Sequence, residues 1–233
     1  MILICPVRPG DRNEELRFAL RSWEANLILP TGLDLITVGY KPTWLEPDHH
    51  VEGNRYASMP LAVFDNVREG AVFAVDDGAE EVLFMNDDFF CLDPVSSVPP
   101  VRRDCTLAEH VAKFPARSGM WWPHSLRVTA SWLAEQGFPH PESFEVHRPL
   151  PADPTVMMEA LDRWPRPLTD IVPQWRTVYG AFSGVEATPV TDSKLGRTST
   201  GYGTPWVSTS DESWRLHARQ ITPRFQKPSR WER

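Results

Sequence analysis

Three short, largely apolar runs constrain the fold of this chain more than any other feature: Ile2-Leu3-Ile4-Cys5-Pro6-Val7, Leu33 to Tyr40, and Glu81-Val82-Leu83-Phe84-Met85. Runs of that length and continuity predict strands buried on both faces. Between them the apolar period changes. Glu14 to Ala25 places Leu16, Ala19, Leu20 and Trp23 at helical spacing, with Asn13 suited to cap the start. Leu61 to Val75 puts Val63, Phe64, Val67, Val72 and Phe73 roughly on one helical face, with Gly70 as a weak point. Strand, helix, strand, helix, strand implies a parallel sheet. Such sheets bind ligands outside the carboxyl ends of their strands. Both polar clusters of this half, RPGDRNEE after the first run and NDD after the third, fall on that edge.

The chain changes character after Pro94. Most of its 23 prolines and 10 tryptophans lie there, which predicts a loop-rich half held by large aromatic anchors. Helices are expected at Leu107 to Phe114, Ser125 to Gln136, Thr155 to Trp164 and Asp170 to Tyr179. The basic, proline-containing tail, from Arg215 to Arg233, reads as an irregular surface arm, with a phosphate-following or donor-covering role as the alternative. His49, His50 and His140 have no partner at metal-ligand spacing and read as loop residues. Trp121, Trp122 and Trp164 read as core anchors, with stacking on a sugar or base as the alternative.

Composition excludes several function classes. A net charge of −7 argues against wholesale capture of nucleic acid, although a local basic groove stays compatible with it. Cys5, Cys91 and Cys105 are odd in number and lack CxxC spacing, so a reducing cytoplasm is expected rather than a disulfide framework. No apolar run approaches the ~20 residues of a membrane span, and MILICPV lacks the basic region of a signal peptide.

FMNDDFF, residues 84 to 90, carries the strongest chemical signal. Two adjacent carboxylates after a buried strand cannot be desolvated unpaired, and a divalent cation resolves that cost. Asp87 and Asp88, as hard oxygen ligands, suit Mg²⁺ or Mn²⁺. The competing reading is a pair that caps a following helix or solvates a strand end. Arg8 and Arg12 can hold a diphosphate, and Asp11 or Glu15 a hydroxyl, in a loop leading into a helix N-terminus. The bland reading of the same Asn13 to Arg17 stretch is an N-capped surface helix with charge pairs. His147, extended ahead of Arg148-Pro149, can serve as general base or metal ligand, or bond a loop carbonyl. Arg176 suits bidentate phosphate binding or a salt bridge equally. Asp211 can act as a base, but reads better as the cap of a helix from Glu212 to Arg219.

NEELRFALRSW, then VGYKPTWLEP, VLFMNDDFFCLDPV and FEVHRPLP, resemble in order the blocks of the Stealth family, over roughly residues 8 to 165. That resemblance implies a catalytic domain related to GT-A glycosyltransferases and transfer of a sugar 1-phosphate from a nucleotide sugar. It brings Asn13, Glu15, Arg17, Asn86, Asp87, Asp88 and His147 into the candidate site. Where the family opens on a W-V-D-G block, this chain carries ILICPVRPG. The compact length is also similar to glycosyltransferases of actinobacteria and their phages.

The resulting expectation is an α/β, GT-A-like fold with a Rossmann-type nucleotide-binding sheet. Residues 1–94 would form the nucleotide-sugar half and 95–233 a loop- and helix-rich acceptor half. The expected reaction is metal-dependent glycosyl transfer from a nucleotide sugar, UDP-linked, to a hydroxyl on a glycan, protein or modified DNA base. Asp87 and Asp88 would hold Mn²⁺ or Mg²⁺. Arg8, Asp11, Arg12, Asn13, Glu15, Arg17 and Asn86 would bind the nucleotide, His147 or Asp211 would take the proton, and Arg176 would steady the phosphates. The setting would be the cytoplasm of a bacterial or phage-infected cell. The alternatives are Stealth-type sugar-1-phosphate transfer and a non-catalytic carbohydrate- or nucleic-acid-binding module. A phosphohydrolase using Asp87 as nucleophile calls for one residue between its aspartates, which NDD does not supply.

Overall fold

A computed structural model describes residues 1–10, 12–54, 58–115, 120–168, 171–199 and 202–233. Asp11 lies outside them. The central sheet is built from β1 (Ile2–Val7), β2 (Asp34–Gly39), β3 (His49–Glu52) and β4 (Val82–Phe84), with α1 (Glu14–Asn26) after β1 and α2 (Met59–Asp76) after β3. These four strands are parallel, in the order β3-β2-β1-β4. Two small ladders follow, opened by β5 (Phe89–Cys91) and β6 (Val101–Arg103). The chain then runs through α3 (Leu107–Ala112), α4 (Trp121–Glu135) and β7 (Leu150–Ala152). β7 joins the main sheet beside β4, antiparallel. After it come α5 (Pro154–Asp162), α6 (Trp175–Ser183), β8 (Thr188–Val190), β9 (Trp206–Ser208) and α7 (Asp211–Ile221). The fold is a mixed α/β one with a parallel-dominated central sheet. Among the described residues no helix is long and apolar enough to cross a membrane.

Alternation along the strands explains the two layers. Ile4, Ile36, Val38, Val82 and Phe84 face α2, α5 and α6, whereas Leu3, Cys5, Leu35, Leu83 and Met85 face α1 and α7. Gly70 is not a weak point in α2. A Cβ there would lie 2.4 Å from Cγ2 of Ile4, so the bare backbone lets the helix seat on β1.

Pro6 shapes the functional edge. Ile4 directs its carbonyl toward β4, where it accepts from Met85 N at 2.8 Å. Residues two apart share a side of the strand, so Pro6 faces β4 as well and has no N–H to offer. Pairing with β4 covers only Ile2 to Ile4. The two chains separate beyond that point, between β1 and β4, where the strand order reverses direction. Such a switch point is where open α/β sheets place their ligands.

Several local expectations are corrected. His49 and His50 lie in β3, because pairing with Ile36 and Thr37 along the sheet edge overrides their weak strand signal. Asn13 has a left-handed backbone, φ 34°, and its side chain bonds Arg8 O rather than capping α1. Of the helix expected over Asp170 to Tyr179, Asp170 lies outside the described residues, and α6 starts only at Trp175, since Pro173 keeps the residue ahead of it extended. The tail is no free arm. Trp231 is 1% exposed, Glu232 pairs with Arg21 and Arg17, and Arg224, Arg230 and Arg233 pair with Asp93, Asp48 and Glu46. Cations neutralised in this way on the protein's own surface are not presented to a phosphate chain.

Candidate active site

The segment Asn86-Asp87-Asp88 leaves β4 as a tight turn, closed by Phe89 N donating to Asn86 O at 3.1 Å, and enters β5. No helix follows, so the helix-capping alternative for the aspartate pair does not hold. The turn faces the first loop across the switch point. Arg8 there meets three carboxylates: Asp87 at 3.2 Å, Asp211 at 2.6 Å, and Glu15 in a still closer contact. Glu15 sits on the first turn of α1, 6% exposed, and also accepts from Thr209 Oγ1 at 2.6 Å. Asp88 accepts from Ser208 Oγ at 2.8 Å through Oδ2, while its Oδ1 is buried with no hydrogen-bond partner among the described residues.

Three carboxylates thus share one guanidinium, and Asp88 adds a fourth carboxyl beside them. The imbalance is visible at Asp87 and Glu15. Burial, and then the neighbouring Asp88 charge, push the Asp87 carboxyl up to about 7 even though Arg8 opposes the shift. Burial likewise raises Glu15. Arg8 is held above its ordinary range: burial works against its charge, but Asp87, Glu15 and Asp211 outweigh it.

These residues suit a divalent cation. The orphaned Oδ1 of Asp88 and the surplus negative charge are what such an ion would satisfy. No three His, Cys, Asp or Glu side chains among the described residues are grouped to hold a metal by themselves. Two carboxylates completed by water and substrate phosphate is the usual arrangement for Mg²⁺.

A second cluster lies beside the first, joined through Asn86. Arg176, buried on α6, donates to Asn86 Oδ1 at 3.3 Å and to Arg148 O at 2.8 Å, and lies over the rings of Trp175 and Phe89. Burial brings its pKa down to about 10, against the pull of Glu145 and Asp88. His147 is held by Asp192: its ring Nδ1 lies 2.9 Å from Oδ2, and its backbone N donates to Oδ1 at 2.8 Å. Arg103 donates to the same carboxylate at 2.5 Å. Asp192 is buried, which raises its pKa, yet the bonds from His147 and the charge of Arg103 bring it below the usual carboxylate range. Nδ1–H pointing at a carboxylate leaves Nε2 as a lone pair, which faces Lys194 Nζ at 3.3 Å. The ring is oriented as a general base needs, with Lys194 the group that an acceptor hydroxyl would displace from Nε2.

The two clusters share a wall. Residues 193–195 bond along β9, whose other edge pairs with β5 directly after the aspartates. Of the expected residues, Arg8, Glu15, Asp87, Asp88 and Asp211 converge, while Asn86 and Arg176 link them to His147. Arg12 is exposed. Arg17 is engaged elsewhere, 3.4 Å from Glu232 and over the Trp44 ring, so it holds the tail rather than a phosphate. Asp211 does not cap α7. Ser210 does, reciprocally with Ser213, which leaves Asp211 for Arg8. Asp192, Lys194 and Glu145 have no counterpart in the sequence reading. Nothing near Asp192 in sequence announces His147, since that pairing spans 45 positions.

No protein-family profile matches the chain, and no curated protein sequence does. Among solved structures, the chain is similar to a crystal structure of 4-diphosphocytidyl-2C-methyl-D-erythritol synthase, with a TM-score of 0.44 and 11% identity. The match covers 94% of this chain and 97% of that one. The fold assignment rests on the strand order and register described above.

Proposed function

We propose that this protein is a nucleotide-binding transferase, and within that class a metal-assisted glycosyltransferase using a nucleotide-sugar donor, UDP-linked, and a hydroxyl acceptor. The observation that carries the reading is the carboxylate surplus of Asp87, Asp88, Glu15 and Asp211 around Arg8, at the switch point of a parallel sheet, beside an oriented His147. Asp87 and Asp88 would hold Mn²⁺ or Mg²⁺, which when bound supplies charge neutralisation for the donor diphosphate. Arg8 positions the carboxylates, and Arg176 faces the same wall with a fixed positive charge. Residues 1–94 would serve the nucleotide and much of 95–233 the acceptor. A cytoplasmic setting in a bacterial or phage-infected cell goes with this reading.

In the transfer step the acceptor oxygen bonds to the anomeric carbon and the bond from that carbon to the diphosphate oxygen breaks. The acceptor proton passes to Nε2 of His147, and Asp192 stabilises the resulting imidazolium. Nucleoside diphosphate leaves. A second reading, sugar-1-phosphate transfer of the Stealth type, is favoured by the cations Arg148 and Lys194 next to His147, which suit charge developing on phosphorus oxygens. There the acceptor attacks phosphorus and nucleoside monophosphate leaves.

Thermal melting with a panel of nucleotide sugars, each with Mn²⁺ and with EDTA, tests the class. A donor at about a hundred times its Kd adds roughly 2.7 kcal/mol, a shift of several degrees. A metal-dependent shift supports the reading, and no shift with any donor overturns it. Chromatography of the released nucleotide then separates the two reactions.

A further inference from the structure

A cleft of about 220 Å³ opens between the start of α2, the start of α4 and the segment leading into α6. Asn86, His147 and Arg176 line it, so it shares a wall with both clusters described above. Its other walls include Met59, Trp121, Trp122 and Glu145. Two larger depressions exist, one beside Gly180 and one beside Trp132, but neither includes any residue of the two clusters.

We propose that this cleft is the acceptor subsite, resting on the transferase reading, and that it takes one pyranose ring laid against Trp121 and Trp122 with a hydroxyl presented to His147. Three observations support a sugar. The volume is below the roughly 300–1,000 Å³ of pockets for drug-sized ligands, which suits a single ring and not a whole nucleotide. The walls combine apolar faces with polar groups at one end, as the two faces of a pyranose require: C–H groups against indole, hydroxyls toward His147 and Arg176. Met59 is 55% exposed at the rim, an apolar side chain left at the surface where a ligand would cover it.

A nucleobase would also stack on indole, but the surroundings disfavour it. Asp87 and Asp88 follow Asn86 directly, Glu145 lines the same cleft, and the chain carries a net charge of −7, all of which repel a phosphodiester backbone. Neutral sugar is the chemistry that meets no such cost.

Saturation-transfer NMR on the full chain, with UDP, diamagnetic Mg²⁺ and a panel of methyl glucopyranosides, methyl galactopyranosides and 5-hydroxymethyl-2′-deoxycytidine, tests this. The expected result is sugar-ring signals in the wild type that weaken at least tenfold in Trp122→Ala. They should weaken equally in Met59→Trp, which fills the rim from an exposed position and so does not disturb the core. UDP signals should persist in both variants. Sugar signals unchanged in both variants overturn the cleft while leaving the donor reading intact. A nucleoside signal in place of the sugars overturns the choice of acceptor. Sugar signals in a protein that gives no UDP signal overturn the acceptor role and the donor reading together.

Discussion

Replacing Asp87 by Asn should make the metal-free protein more stable while removing its turnover. The carboxyl is pushed from an ordinary 3.8 to about 7 by burial and by Asp88. The sign follows from linkage. An acid whose folded pKa is raised binds its proton more tightly when folded, so stability from this group falls as pH rises from about 4 to about 7 and is flat above. At about 1.4 kcal/mol per unit, ionised Asp87 costs the fold about 4 kcal/mol at pH 8. Asparagine keeps the shape and removes the charge, and Arg8 retains Glu15 and Asp211. A gain of about 2–4 kcal/mol is expected at pH 8 in EDTA, or roughly 5–10 °C in Tm for a chain of this size. Near pH 5 the folded carboxyl is already protonated and only the unfolded chain is ionised, so the gain should shrink to under half. Differential scanning calorimetry at the two pH values reads both numbers. A variant that melts at or below the wild type at pH 8 would refute the electrostatic reasoning, because it would mean that Arg8 over-compensates the cluster.

Other consequences can be measured separately. Mn²⁺ should raise the wild-type Tm and leave a variant with both Asp87→Asn and Asp88→Asn unmoved; an equal shift in the two would remove the metal role from this pair. Asp192→Asn should lower turnover on the order of 10²-fold or more by releasing His147 from its tautomer, visible as a changed pH–rate profile with donor affinity retained. The same change should destabilise the protein at neutral pH. Because the folded pKa of Asp192 is depressed, that loss should fade as pH falls below about 4. Gly70→Ala should cost about 1–3 kcal/mol by driving a methyl group into Ile4, and urea denaturation would show it as a lower midpoint at constant slope. Trp231→Ala should cost about 3–5 kcal/mol, since the ring is buried and its N–H donates to Asp48 at 2.9 Å; a loss under 1 kcal/mol would return the tail to the surface.

Much of this was legible locally. Short apolar runs at Ile2–Val7, Asp34–Gly39 and Val82–Phe84, alternating with helical periods, announce buried parallel strands. Two carboxylates directly after one of them announce a charged edge, because carboxylates cannot enter the core unpaired. What the residues could not show alone is which distant groups meet that edge. Arg8 reaches Asp211 across 203 positions, Ser208 reaches Asp88 across 120, and His147 finds Asp192 across 45. Asp211 looked like a helix cap until Ser210 took that role, and Arg17 looked like a phosphate ligand until the tail docked on it. Periodicity and burial are properties of neighbours in the chain and survive in the sequence as pattern. The pairing of a histidine with its carboxylate, or of three carboxylates with one arginine, depends on how separate elements pack, and only the tertiary structure decides that.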